Sequence, residues 1–459
     1  MFAKHFILIL ISLILTGVAM GQLNEQKSLS VTVYNSNLGV VKDVRKINIP
    51  EGNSKIEITD VAQQIDPTSV HIKLDGNVIE QNYQYDLISL NKILQKYLGR
   101  NIQLIGEKNE LIEGTLLSNY GGQIVIKKKD GGLVMLPSVA KYRFNVGTLP
   151  EGLITKPTLV WLVNSNSNGN QDVEISYQTK GMNWHAEYVA VLNKDDNQLD
   201  LNSWVSVENT SGTTFKNAKL KLVAGDVNLL QNRSPYPTQY DKVYKSANMA
   251  AEQQFKEKEF FEYHIYNLQR PTTLANNETK QISLFEANGV KAHKKYFYGS
   301  GGYYGYRNQN SKGKVAVIVE FENKKENGLG IPMPKGKIRM YKSDGESLEF
   351  IGEDLIDHTP KNEKIKIKIG DAFDILAEEK QTDHKRITDR VYEEAYEVTI
   401  TNRKNEDVTV EVERNLGFDW EILNSSLPYN KKNVSTVTFN VPVKKDSKTK
   451  LNYRVRYVH

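Results

Sequence analysis

Cysteine is absent from all 459 residues. That excludes disulfides, thiolate metal sites, a cysteine nucleophile and a lipid-modified cysteine at a processing site. A long exported chain without disulfides points to a bacterial periplasm or surface. Charge of one sign is nowhere concentrated: Lys plus Arg number 60 and Asp plus Glu 55, a formal net charge of +5. The longest basic run, Lys127-Lys128-Lys129, precedes Asp130-Gly131-Gly132 and reads as a solvated hairpin tip. Nucleic acid is therefore not an expected partner. The catalytic signatures are missing too. There is no Gly-x-Ser-x-Gly elbow, no phosphate-cradling glycine loop and no His-Glu-x-x-His. None of the eight histidines lies two, three or four residues from another, so local zinc-ligand spacing is lacking. No metal and no cofactor are expected, and the chain reads as more binding protein than enzyme.

What is present begins at the N-terminus. Lys4 supplies a positive start, Phe6 to Leu15 is apolar apart from Ser12, and Ala19-Met20-Gly21 places small residues before Gln22. This is the grammar of a signal peptide over 1–21, cut between Gly21 and Gln22. Phe6 to Met20 is shorter than the ~20 residues of a spanning helix. No later stretch is apolar enough to cross a bilayer, so no membrane span is expected after the leader is removed. The expected location is outside the cytoplasm: periplasmic, cell-surface or secreted.

Period-two alternation dominates the rest. Val173-Ile175-Tyr177, Val315-Val317-Val319-Phe321, Val408-Val410-Val412, Val437-Phe439-Val441 and Leu451-Tyr453-Val455-Tyr457 each alternate with polar residues. One greasy and one wet face per strand predicts a mainly β fold of antiparallel β-sandwich domains. One helix stands out, capped by Ser89, with an apolar stripe of Leu90, Ile93, Leu94, Tyr97 and Leu98 and closed by Gly99. Five short strand-like segments follow it, which predicts a small closed barrel. The expected organisation is a discontinuous N-terminal β-sandwich domain over 22–85 and 148–232, interrupted by the inserted barrel at 86–147. An irregular connecting region at 233–310 follows, then a C-terminal β-sandwich region at 311–459. Within the connecting region, Asn248 to Phe261 reads as a helix or a mobile segment, Tyr263 to Leu268 and Lys280 to Phe285 as strands, and the Tyr/Gly-rich run Tyr296 to Tyr306 as a flexible link.

Candidate chemistry is sparse. Asn164 to Gly169 mimics the start of a calcium loop, but Asn164 and Ile175 stand where carboxylates belong, so a hairpin turn is expected. Glu353-Asp354-Leu355-Ile356-Asp357-His358 is the densest cluster of acids with an imidazole. If catalysis occurs, Asp354, Asp357 and His358 form the candidate site, since paired carboxylates in a cleft do acid–base work. Flanked by Gly352 and Thr359-Pro360, the cluster also reads as an acidic surface loop. Trp161, Trp184, Trp204 and Trp420 lie in or beside alternating segments, where core packing is expected.

Several segments resemble a known family. Tyr177-Gln-Thr-Lys-Gly-Met-Asn-Trp184-His-Ala-Glu-Tyr188, Trp204-Val-Ser-Val-Glu-Asn209 and Lys219-Leu-Lys-Leu-Val-Ala-Gly225-Asp-Val-Asn228 carry the likeness. Leu329-Gly-Ile-Pro-Met-Pro334, Arg339-Met-Tyr341 and Phe350-Ile-Gly-Glu-Asp354 extend it. Together they resemble the uncharacterised secreted β proteins that include the mucoidy-inhibitor-like proteins. The resemblance implies an exported β architecture and transfers no catalytic residue. Separately, the helix ending at Gly99 and Glu113-Gly-Thr-Leu-Leu-Ser-Asn119 resemble an Sm-type small barrel, a likeness of fold only.

Two functions are compatible with this reading. The first is a non-catalytic envelope protein binding another envelope protein or a glycan. The second is a hydrolase of polysaccharide or peptide with a discontinuous carboxylate site.

Overall fold

The computed structural model describes residues 24–138, 140–225, 227, 254–260, 262–299, 310–344, 346–417 and 419–458. The expected leader and its Gly21–Gln22 cleavage point lie outside them. The described chain is mainly β, built from largely antiparallel sheets with parallel pairs in the largest, and Leu90–Lys96 is its α-helix. It divides into two compact units, both discontinuous in sequence. One comprises 24–31, 40–180 and 211–218, the other 32–39, 181–210 and 219 onward.

In the first unit, Thr158–Ser165 is the middle strand between Gly52–Ile58 and Gly76–Gln84. Its Leu159, Trp161 and Val163 are fully buried, and Trp161 Nε1 donates to Gln81 Oε1 at 2.9 Å. A Cβ on Gly76 would lie 2.3 Å from Asn164 O, so only glycine lets these two strands approach. The calcium-like segment is a turn: Asn166 Nδ2 and Ser167 Oγ donate to the Asp75 carboxylate at 3.0 and 2.9 Å. Gly39–Ile49, Gly169–Thr179 and His71–Lys73 run side by side in another sheet.

The helix begins where its cap predicts, with Ser89 Oγ accepting from Lys92 N–H at 3.3 Å. Leu94, Tyr97, Leu104, Leu116, Ile124 and Ile126 form the small core beneath it. The closed barrel expected here is instead an open five-stranded sheet. Its order is Arg143–Asn145, Asn101–Ile105, Leu111–Tyr120, Gln123–Lys127, Leu133–Leu136. Closure needs the first and last strands to pair. Arg143–Asn145 has three residues and spends its register on Asn101–Ile105. Among the described residues, the two end strands do not meet in a ladder.

In the second unit, one long sheet runs from Leu348–Ile356 through Gly336–Ser343, Met182–Leu192 and Gln198–Asn209 to Glu278–Gly299. That last strand, 22 residues long, continues into the C-terminal region by pairing with Asn310–Glu322. Lys364–Arg386, Val391–Asn402 and Ser447–Val458 extend the sheet, and Val408–Asn415 pairs with Thr436–Val443 beside them. Val315, Ile375, Ile400, Val410, Phe439 and Tyr453 fill the core between these strands. Period-two alternation is clean along Val408–Asn415, and register shifts at Lys314/Ala316, Val317/Ile318 and Gln381/Asp383 interrupt it in the neighbouring strands.

In the connecting region the strands expected at Tyr263 to Leu268 and Lys280 to Phe285 are present, the latter within Glu278–Gly299, and Phe255–Phe260 and Thr272–Leu274 add two more. Of the segment Asn248 to Phe261, 248–253 and 261 lie outside the described residues, and Phe255–Phe260 is an edge strand on Tyr263–Leu268, not a helix. Its exposed Lys256, Glu257, Lys258 and Glu259 protect the open edge from further pairing. Of the Tyr296 to Tyr306 run expected as a flexible link, 300–306 lie outside the described residues, and Tyr296 to Gly299 ends a strand. Tyr298 is buried there with the Arg414 guanidinium 4.9 Å from its ring centre. Low-complexity composition hid a period-two pattern, one of whose partner strands, Val408–Asn415, lies more than a hundred residues away.

Candidate functional site

The Met182–Leu192 strand alternates strictly. Trp184, Ala186, Tyr188 and Ala190 are buried, while His185, Glu187 and Val189 face the other way. On that second face, Glu187 lies opposite Trp204 and His185 opposite Ser206 on the antiparallel neighbour. On the other side, Gly336–Ser343 pairs in parallel, bringing Lys337 opposite Glu187 and Arg339 opposite Val189.

A parallel partner cannot be delivered by a tight turn, so the chain must place it by other means. The segment before Gly336 is fastened by buried hydroxyls. Tyr188 OH donates to Pro334 O at 2.7 Å, and Tyr266 OH to Pro332 O at 2.9 Å. Burial pushes both phenols well above their ordinary pKa, so they stay protonated donors. Asn323 adds Nδ2 bonds to Ile331 O and Pro360 O at 2.7 and 2.9 Å.

The outermost strand, Leu348–Ile356, contains a bulge beside Gly352: Met340 opposes Gly352, yet Tyr341 opposes Phe350. The skipped residue puts Phe350 and Glu353, three apart, on the same face. Gly352 has φ +155°, and a Cβ there would lie 2.1 Å from Ile369 O, so the bulge requires glycine.

The result is a continuous polar–aromatic face. Arg339 stands between two carboxylates, its Nη1 3.7 Å from Glu187 Oε2 and its Nε 3.5 Å from Glu353 Oε2. Lys337 Nζ is 3.4 Å from Glu353 Oε1, and His185 Nε2 is 3.4 Å from Glu187 Oε1. Gln281 Nε2 donates to Glu187 Oε2 at 3.1 Å and to Ser206 Oγ at 3.2 Å. His185, then Arg339 and Lys337, hold the Glu187 carboxyl below its ordinary pKa against a desolvation that opposes them. Half-buried Trp204 adjoins this cluster. Tyr341 and Phe350 pack edge to face at 5.7 Å on its far side, with Leu348 and Leu355 exposed. Lys337 and Leu355 oppose each other, as do Ser343 and Leu348, so these apolar residues share the same face.

The site expected from sequence lies nearby but is engaged differently. Asp354 is on the opposite face of its strand from Glu353. Its Oδ1 accepts from Leu355 N–H and its Oδ2 from Lys368 N–H, at 2.9 and 2.8 Å. Asp357 is exposed, and its backbone carbonyl accepts from the Thr359 hydroxyl at 2.8 Å. His358 Nδ1 accepts from Lys335 N–H at 3.2 Å, fastening the same segment that delivers the parallel strand. Among the described residues, no group of three or more His, Asp and Glu is disposed to hold a metal ion.

The face just described is built largely from segments that carried the family resemblance: His185, Glu187, Trp204, Arg339, Tyr341, Phe350 and Glu353. The profile of a domain of unknown function, DUF4139, matches residues 173–458. The chain belongs to the DUF4139 family. All the residues of the polar–aromatic face fall inside the DUF4139 match. No curated protein matches the chain.

Proposed function

We propose that this DUF4139 protein is exported and acts in the cell envelope as a non-catalytic binding protein, docking a partner protein on the face around Arg339. The observation that carries the reading is the open sheet face itself. It combines aromatic side chains and an arginine held by two carboxylates with three large apolar side chains left to solvent. Leu348 is 56% exposed, Phe350 55% and Leu355 74%. Apolar side chains gathered on one surface mark interaction sites. Aromatic residues and Arg are the types enriched at protein interfaces and among their energetic anchors. The paired charges beside them favour a register, since a misplaced partner leaves Arg339 or Glu353 facing its own sign.

Binding is favoured over hydrolysis by the state of the acids. A general acid needs a carboxyl whose pKa is raised by a dry cleft, whereas Glu187 is held ionised by cationic neighbours. Asp354 spends both oxygens on backbone N–H groups. Export rests on the leader alone. The same proposal includes two finer readings. The motifs from Tyr177 to Asn228 suggest the branch of the family with the mucoidy-inhibitor-like proteins. A helix followed by five strands suggests an Sm-like insert.

The test is site-specific photocrosslinking in the producing cell, with the crosslinker at Phe350 or Leu355 and a control at fully solvated Asp389. The reading expects a discrete crosslinked protein from the first two positions, lost when Arg339→Glu is added. No product, or the same products from Asp389, refutes it.

A further inference from the structure

A second feature lies in the first unit, where the chain leaves Gly76–Gln84 for the helix-led insert and later returns. There Tyr83, Gln84, Tyr85, Asp86, Lys92 and Ile154 line an open cleft of about 430 Å³. That volume falls within the ~300–1,000 Å³ usual for small-ligand sites.

Its wall is an ordered aromatic pair. The Tyr83 and Tyr85 rings stack at 5.5 Å with 26° between their planes. Tyr83 is anchored, its hydroxyl donating to Ala62 O at 3.2 Å and Gln63 O at 3.1 Å. Tyr85, backed by that ring, is 69% exposed and presents a free face. The floor is closed by backbone pairing: Ile154 N–H donates to Asp86 O and Ile88 N–H to Ile154 O, both at 3.1 Å. Gly152, at φ +83°, completes the lining without a side chain. Beside the ring, Lys92 Nζ and Asp86 Oδ1 are 3.1 Å apart, a donor and an acceptor whose charges cancel.

These features select a chemistry. An exposed ring face held rigid by a second ring suits a flat C–H surface. An adjacent carboxylate, amide and ammonium suit closely spaced hydroxyls, each both donor and acceptor. A neutralised ion pair gives no net attraction to an anion or a cation. We propose that this cleft binds a pyranose unit of a neutral oligosaccharide, its C–H face on Tyr85 and vicinal hydroxyls on Asp86 and Lys92. The site is separate from the protein-docking face, and its ligand does not depend on that reading.

The experiment is calorimetric titration of the full mature chain with chitotetraose, cellotetraose and maltotetraose, and with an anionic hyaluronan tetrasaccharide. Saturable binding of at least one neutral probe is expected. Tyr85→Ala should weaken it roughly five- to tenfold, the share of one aromatic contact. Tyr85 is exposed, so this variant keeps its fold, and unchanged thermal unfolding verifies that. Arg339→Glu should leave saccharide binding intact, separating this site from the docking face. The proposal is overturned if no neutral probe saturates, if Tyr85→Ala binds as well as the parent, or if the anionic probe binds more tightly than the neutral ones.

Discussion

Arg414 offers the sharpest test of how the C-terminal core is held. Its side chain is 4% exposed, its Nη2 lies 3.2 Å from Glu379 Oε2, and Glu379 is only 11% exposed. The guanidinium also packs over the Tyr298 ring, and Tyr298 OH reaches Glu379 Oε2 at 3.4 Å. Removing one charge leaves the other buried with its chief counter-charge gone, a loss of about 3–5 kcal/mol for such pairs. Arg414→Met and Glu379→Gln should therefore each destabilise strongly. The double variant should lose much less than the sum, because it strands no charge. Native-state hydrogen exchange on the amides of Val408–Asn415 and Thr436–Val443 reads this locally. At tenfold per ~1.4 kcal/mol, each single variant should speed exchange by roughly two to nearly four orders of magnitude. Single losses below ~1 kcal/mol, the value of an exposed pair, would refute the argument. So would strict additivity.

Two further outcomes follow from the candidate face. Gly336→Ala places a Cβ 2.0 Å from Ala186 O, so the parallel strand must shift; a loss of about 1–3 kcal/mol is expected by thermal unfolding. Gly370→Ala, where nothing lies within 4 Å of the added atom, is the matched control and should not lose stability. The Glu187 carboxyl is held below its ordinary value in the fold, so its contribution is complete above the unfolded pKa of ~4.3 and fades as pH falls through the folded one. In urea titrations, the stability gap between the parent and Glu187→Gln should shrink as pH falls below about 5, where the carboxylate is lost. A gap that keeps widening below about pH 5 contradicts the assignment.

Much of this architecture was legible. Alternation marked the strands of the C-terminal core, and Ser89 with its apolar stripe marked the helix. Two features were misread for identifiable reasons. Five short strands suggested closure, but closure depends on whether the end strands reach each other, and Arg143–Asn145 and Leu133–Leu136 form no ladder. Tyr296 to Gly299 looked like a linker because its composition is repetitive, yet its tyrosines alternate into a core shared with Val410, Phe439 and Tyr453, more than a hundred positions away. The acidic cluster was conspicuous in one dimension only. Its most prominent acid, Asp354, caps backbone N–H groups, while its neighbour Glu353 faces Arg339.

Outside the bulges, the order of residues by itself determined which side chains share a face within each strand, because successive Cβ atoms point to opposite sides. It did not determine which strands become neighbours. His185 and Glu187 meet Arg339 and Glu353 only because Gly336–Ser343 docks in parallel on Met182–Leu192, secured by Tyr188, Tyr266 and Asn323. That choice was made by tertiary burial. Period two is the same for every candidate partner, and only packing and buried hydrogen bonds distinguish one register from another.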